Sequence, residues 1–141
     1  MKKYFLFGCA VLLAGCSHGQ LSSLPKIQDN NAAEVIIIRE NQFWGGGVTA
    51  IVSLDNQDII AIRAGDHSKI KLKAGQHAIA VRDQGGFSSE VHDSVLLDCI
   101  DKNKYYLKMW KGISSRFNIK VVPETEGEEL VKDTNFLELK Q

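Results

Sequence analysis

Proline is scarce in this chain, with two residues in 141. That excludes collagen-like and proline-rich extended architectures. Neither sign of charge is in surplus: 17 basic side chains meet 17 acidic ones. A nucleic-acid-binding domain normally carries a basic excess, so no nucleic-acid partner is expected. No apolar stretch approaches the ~20 residues that a membrane-spanning helix requires. What is present, 44% hydrophobic and 24% charged residues, suits one folded domain with little room for a second.

The most informative stretch is at the N-terminus. Lys2 and Lys3 make a positive start, and Tyr4 to Leu13 is apolar but too short to span a bilayer. It ends in Leu13-Ala14-Gly15-Cys16, with small residues where a signal peptide is cut. This tetrad resembles the lipobox of bacterial lipoproteins. The resemblance implies that residues 1–15 are removed and that Cys16 is acylated and becomes the mature N-terminus. It also implies, through Ser17 in place of Asp, sorting to the outer membrane of a Gram-negative cell. Leu6-Phe7-Gly8-Cys9 is a poorer match, because Phe7 is bulky beside the cut.

Several acyl chains would be needed, since each buried CH₂ contributes ~0.8 kcal/mol and one chain anchors only marginally. Losing Lys2 and Lys3 leaves 15 basic against 17 acidic side chains, net −2. Such a body is not drawn to an anionic lipid surface, so the lipid must anchor it. With Cys9 removed and Cys16 acylated, Cys99 is the remaining thiol, and no intramolecular disulfide is expected. Residues 16–33, rich in Ser, Gln, Asn and Gly, read as a lipidated tether.

The body is expected over residues 34–122. Val35 to Ile38 is a β-branched run suited to a strand covered on both faces. Gln42 to Gly47 reads as a loop, because three consecutive glycines cost too much entropy in regular structure. Val48–Leu54, Ile59–Arg63, Ser68–Lys73, His77–Arg82, Ser94–Ile100, Lys104–Trp110 and Phe117–Val122 read as further strands. Gly and Asx turns separate them, with Asp55-Asn56 the clearest. About eight short strands with no intervening amphipathic helix favour an all-β antiparallel sandwich or barrel. Residues 123–141 form an acidic tail. Thr125 and Glu128 have capping-box spacing, which predicts a short helix over residues 126–133 that Gly127 weakens. Phe136, Leu137 and Leu139 either dock this tail or trail in solvent.

The order of turns, Asp55-Asn56, then Ala64-Gly65-Asp66-His67, then Ala74-Gly75-Gln76-His77, resembles the bacterial lipoproteins of domain of unknown function two-eight-four-six. It is similar more loosely to PEGA-type and carboxypeptidase-regulatory-like β-sandwiches. Gly65, Gly75 and His77 fit the pattern. Asn56 stands for a Gly, His67 for an aromatic and Ala74 for a Pro. The resemblance implies a β-sandwich of the cell envelope and supplies no catalytic residues and no cofactor.

Chemistry must then be sought among single residues. His67, His77 and His92, with Asp66 and Asp93 beside two of them, could in principle hold Zn²⁺ or Cu²⁺. Their spacings of ten and fifteen residues give no i, i+2 or i, i+4 pairing. Ser88, Ser89, His92 and Asp93 carry the letters of a catalytic triad, yet lie too close in sequence, and no G-x-S-x-G elbow is present. Cys99 shares strand parity with Val95 and Leu97 and reads as a small buried hydrophobe. The aromatic residues are the better candidates for contact. Trp44 lies in the glycine-rich loop, and Tyr106, Lys108 and Trp110 share one strand face. The expectation is a lipid-anchored, non-enzymatic binding module facing the periplasm, meeting an envelope protein or glycan through Trp44, Tyr106 and Trp110. A histidine-based metal protein or enzyme, and a lipoprotein that self-assembles through strand edges, are the alternatives.

Overall fold

In the computed structural model, residues 18–28, 30–85 and 90–141 are described. The expected acylation of Cys16 and removal of residues 1–15 concern residues outside these. Strand-forming runs alternate with turns whose chemistry fits. Asp55 and Asn56 both have positive φ, 49° and 69°, the pairing that a two-residue type I′ hairpin requires. The strands are β1 (Gly19–Gln20), β2 (Ala33–Arg39), β3 (Ala50–Leu54), β4 (Gln57–Ile62) and β5 (Asp66–Leu72). They continue with β6 (Gly75–Asp83), β7 (Asp93–Cys99), β8 (Lys104–Lys111) and β9 (Phe117–Val122). Helix α1 (Glu124–Lys132) and β10 (Asn135–Phe136) complete the order.

Two five-stranded sheets result, β1-β4-β3-β6-β7 and β10-β5-β2-β8-β9. They pack face to face, so the expected β-sandwich is what forms. Two pairs within it run parallel, β2 with β8 and β10 with β5. The chain visits the opposite sheet between β2 and β8, which supplies the crossover a parallel pair needs without a helix.

The core lies between the sheets. Val35 and Ile37 of β2, Ile70 and Leu72 of β5, Leu107 and Met109 of β8, and Val52, Ile60, Ile79, Val81, Leu97 and Cys99 from the other sheet meet there. A second, smaller cluster forms on the outer face of β2 and β8. Ile36, Ile38, Tyr106 and Val122 are covered there by Leu130 and Val131 of α1. The β2 run is therefore buried on both faces, as its unbroken β-branched sequence requires.

The helix begins two residues before its expected start. Pro123 stands at the N-cap with no side-chain cap bond, and Glu124 and Glu126 occupy the first turn. Thr125 is thus already inside the helix and forms no capping box. Gly127 is buried against the Tyr106 ring.

Both flanking segments are more ordered than the sequence suggests. The stretch expected as a free tether contributes β1, which pairs Gly19 with Ala61 and Gln20 with Ile60. Its Leu24 is buried in the main core. Few apolar residues suffice here, because the exposed edge of β4 offers unpaired backbone groups to the incoming chain. The C-terminal segment also docks. Leu137 and Leu139 pack against the core while Phe136 stays exposed. Gln20 and Lys140 exchange two hydrogen bonds, of 2.9 Å each, so the two flanking segments close one side of the sandwich together.

His67 locks this closure. It is buried, with Nδ1 2.9 Å from Thr134 Oγ1 and its ring 5.5 Å from that of Phe136. Burial, reinforced by Lys69 and opposed by Asp66, lowers its pKa below the usual histidine value. The unfolded chain therefore binds the proton more readily. Stability is full above pH ~6.5 and declines as pH falls below that value toward the depressed folded pKa. In urea denaturation at stepped pH, His67→Gln is expected to lose this part of the decline. An unchanged pH profile would remove His67 from the account.

Candidate functional site

The loops joining β2 to β3, β4 to β5, β6 to β7 and β8 to β9 gather at one end of the sandwich. What organises this end is a charge placed where strand alternation calls for an apolar residue. Val35, Ile37 and Arg39 share the inward face of β2, and Arg39 is fully buried at the margin of the core. Its guanidinium carbon lies 4.7 Å from the centre of the Phe117 ring. Nη1 donates to Gln42 Oε1 at 3.1 Å and Nη2 to the Gly45 carbonyl at 3.4 Å, while Nε has no partner among the described residues. Burial pulls the Arg39 pKa down to about 10, against the opposing pull of Glu40 and Asp83. The group stays cationic at neutral pH.

Lys111, at the end of β8, brings a second cation to the same ring, its Nζ 4.7 Å from the centre. That Nζ donates to Asp83 Oδ1 at 2.8 Å. Asp83 Oδ2 lies 4.0 Å from His92 Nε2. Lys111 also donates its backbone N–H to Gln42 Oε1 at 2.8 Å.

Gln42 and Gly45 flank Phe43 and Trp44; the Arg39 guanidinium holds both, and the Lys111 backbone N–H holds Gln42. Gly45 has φ +73°, and an added Cβ would meet the Lys111 side chain at 2.8 Å. The loop is thus fastened at both shoulders and presents its two aromatics outward. Phe43 is fully exposed and Trp44 is 70% exposed. Ile113, in the neighbouring β8–β9 loop, is fully exposed as well. Beside them a cleft of about 580 Å³ opens between Gly47–Thr49 and Asp83–Gly85, with Lys111 on its wall. It offers one ion pair and glycine-rich backbone, features that orient a polar group but do not by themselves activate one.

No protein-family model matches this chain, and no curated protein matches it.

The structure distributes the sequence candidates unevenly. Trp44 is exposed on its loop. Tyr106 is not: it is 5% exposed beneath α1, and burial raises its phenol pKa. The strand-face argument could not foresee this, because the helix that covers Tyr106 starts eighteen residues further along the chain, at Glu124. Trp110, on the same face beyond the helix, is half-buried, with Lys120 Nζ 5.8 Å from its ring. Lys108, between them, reaches Glu40 at 3.1 Å and Glu126 at 3.6 Å.

The three histidines occupy separate places, each with its own bond. His67 serves the tail. His77 Nδ1 lies 2.8 Å from Asp55 Oδ2 and its Nε2 3.0 Å from the Lys73 carbonyl. His92 Nδ1 accepts the Phe117 N–H at 3.0 Å. His77 and the Val81 carbonyl that accepts from His92 N lie four residues apart on β6, roughly 13 Å of strand. Asp93 does not orient His92; its Oδ2 accepts the Ile119 N–H at 2.9 Å. Together these two residues stitch β7 to β9 and close the other side of the sandwich. Ser88 and Ser89 lie outside the described residues. Cys99 is buried in the core, and burial raises its thiol pKa, so the reactive thiolate is suppressed.

Arg39, Asp83 and Lys111 did not emerge from the sequence. The available signal was Arg39 itself, a cation at an inward parity position directly after an apolar run. Asp83 and Lys111 carried no such mark, because strand-terminal charges are ordinary.

Proposed function

We propose that this chain is a lipid-anchored, non-enzymatic binding module of the bacterial cell envelope. Acyl chains on Cys16 hold it to the outer membrane, facing the periplasm. The tetrad Leu13-Ala14-Gly15-Cys16 supports the anchor. The observation that carries the binding role is the exposed Phe43–Trp44 pair on a loop fastened by the Arg39 guanidinium and the Lys111 backbone. A solvent-exposed tryptophan beside a fully exposed phenylalanine is costly in water and gains from being covered. Fastening the loop in advance lowers the entropy lost on contact. Trp110 with Lys120 offers a second, flatter surface suited to an envelope protein or glycan.

The alternatives receive less support. A histidine metal site needs ligands that converge, whereas His67, His77 and His92 serve different strands. Self-assembly through strand edges draws less support than display of the aromatics: β1 and β10, two residues each, form one edge of each sheet, and the other edges, β7 and β9, are bonded to each other where Asp93 accepts the Ile119 N–H.

Fractionation of cells tests the anchor. The wild-type protein should sediment with membranes at an acylated mass, and Cys16→Ala should not. Crosslinking in cells then tests contact. Trp110→Ala should lose crosslinked protein or glycan adducts, Trp44→Ala should lose adducts at the loop, to protein or to lipid, and undiminished adducts from both variants would discard the contact assignment.

A further inference from the structure

The first described residues of the chain and the exposed apolar side chains lie at the same end of the sandwich. Gly19 pairs with Ala61 near the end of β4, and His18 Nε2 stands 2.8 Å from Asp66 Oδ2 at the start of β5. The turn between β4 and β5 adjoins the aromatic loop. Gly65 donates its N–H to the Arg39 carbonyl at 3.0 Å. A Cβ on Gly46 would lie 3.7 Å from the Ala64 methyl. The chain therefore enters the fold beside the loop that displays Phe43 and Trp44. Ile113 and Val91, both exposed, come from the two remaining loops of this end.

Only Ser17 separates Cys16 from His18. A two-residue step spans at most ~7 Å. Acyl chains on Cys16 lie in the leaflet, so this end of the body cannot stand far above the headgroups. With net charge −2 on the mature chain, contact there draws on apolar burial rather than on attraction to anionic lipid. Tryptophan with apolar neighbours is the side-chain set that settles at the boundary between headgroups and acyl chains.

We propose that the loop end carrying Phe43, Trp44 and Ile113 is the membrane-contacting surface of the folded body. It seats in the headgroup–acyl boundary of the leaflet that holds the Cys16 lipid. The proposal rests on the lipid-anchor reading above. It orients the sandwich end-on to the membrane and leaves the Trp110–Lys120 surface for a periplasmic partner.

Tryptophan emission tests it, because the chain holds two tryptophans, Trp44 and Trp110. The full acylated protein is reconstituted in phosphatidylethanolamine–phosphatidylglycerol vesicles whose acyl chains carry bromine. Flotation with the vesicles reports the anchor, and quenching reports the docking. The expected result is a protein that floats and loses part of its emission to bromine. Trp44→Phe should remove the quenched component, and Trp110→Phe should retain it. A protein that floats with emission equal in brominated and plain vesicles overturns the docking and spares the anchor. A Trp44 shielded from aqueous acrylamide yet untouched by bromine also overturns it, since a second copy or a protein partner then covers the loop. Failure to float, with Cys16→Ala unchanged in mass from the wild type, overturns the anchor and the docking with it.

Discussion

Replacing Gly127 with alanine is expected to destabilise the protein by about 1 to 3 kcal/mol, the cost of overpacking a filled site. Helix propensity alone argues the opposite, because alanine is favoured over glycine by ~1 kcal/mol in a helix interior. Packing decides the sign. An added Cβ would overlap Cβ, Cγ and Cδ1 of Tyr106. The Tyr106 Cβ stays in place whichever rotamer the ring adopts, so a rotamer change cannot fully relieve the overlap. Tyr106 sits on β8 opposite Ile36 of β2 and Val122 of β9. The helix would have to lift, uncovering Ile36, Ile38 and Val122. The urea midpoint should fall. The Tyr106 phenol, held above its ordinary pKa chiefly by burial, should titrate at lower pH in the variant. In a Tyr106→Ala background, which removes Cγ and Cδ1 but keeps Cβ, the same glycine change should cost less. A Gly127→Ala protein as stable as the wild type would mean that α1 does not rest on the ring.

Asp83→Asn is expected to cost about 2 to 4 kcal/mol. Breaking a buried ion pair typically costs ~3–5 kcal/mol, and partial exposure of Asp83, 24% of its side chain, moderates that. The change leaves Lys111 and Arg39 as two buried cations on one phenyl ring. The loss should be concentrated at the loop end, since Gln42 bonds to both residues. Adding Lys111→Met should recover much of it, because the unpaired charge then disappears. A four-variant cycle by urea denaturation reads the coupling directly. Coupling below ~0.5 kcal/mol, the usual scatter for independent sites, would refute the ion-pair account.

Local pattern made several elements legible. The β-branched Val35–Ile38 run, the Asp55-Asn56 turn and the Lys69/Lys71 alternation each describe a strand or turn through neighbours along the chain. Cys99 was legible for the same reason, since parity with Val95 and Leu97 places it inward. Trp44 was legible because a triple glycine beside two aromatics cannot enter a regular core element.

What only the tertiary structure decided involves partners distant in sequence. Tyr106 and Trp110 share a strand face, yet α1 buries the first and leaves the second half-open. Gly127 reads as a weak helix residue and turns out to be the one that lets the helix approach. The polar stretch before Ala33 reads as a tether, and the vacant edge of β4 draws part of it into the sheet. Arg39 and Lys111 meet on Phe117 while Asp83 pairs with Lys111, four residues from four separate strands. Side-chain periodicity reports which face of an element a residue occupies. What covers that face depends on contacts whose members are scattered along the chain, and those are set only when the whole sandwich closes.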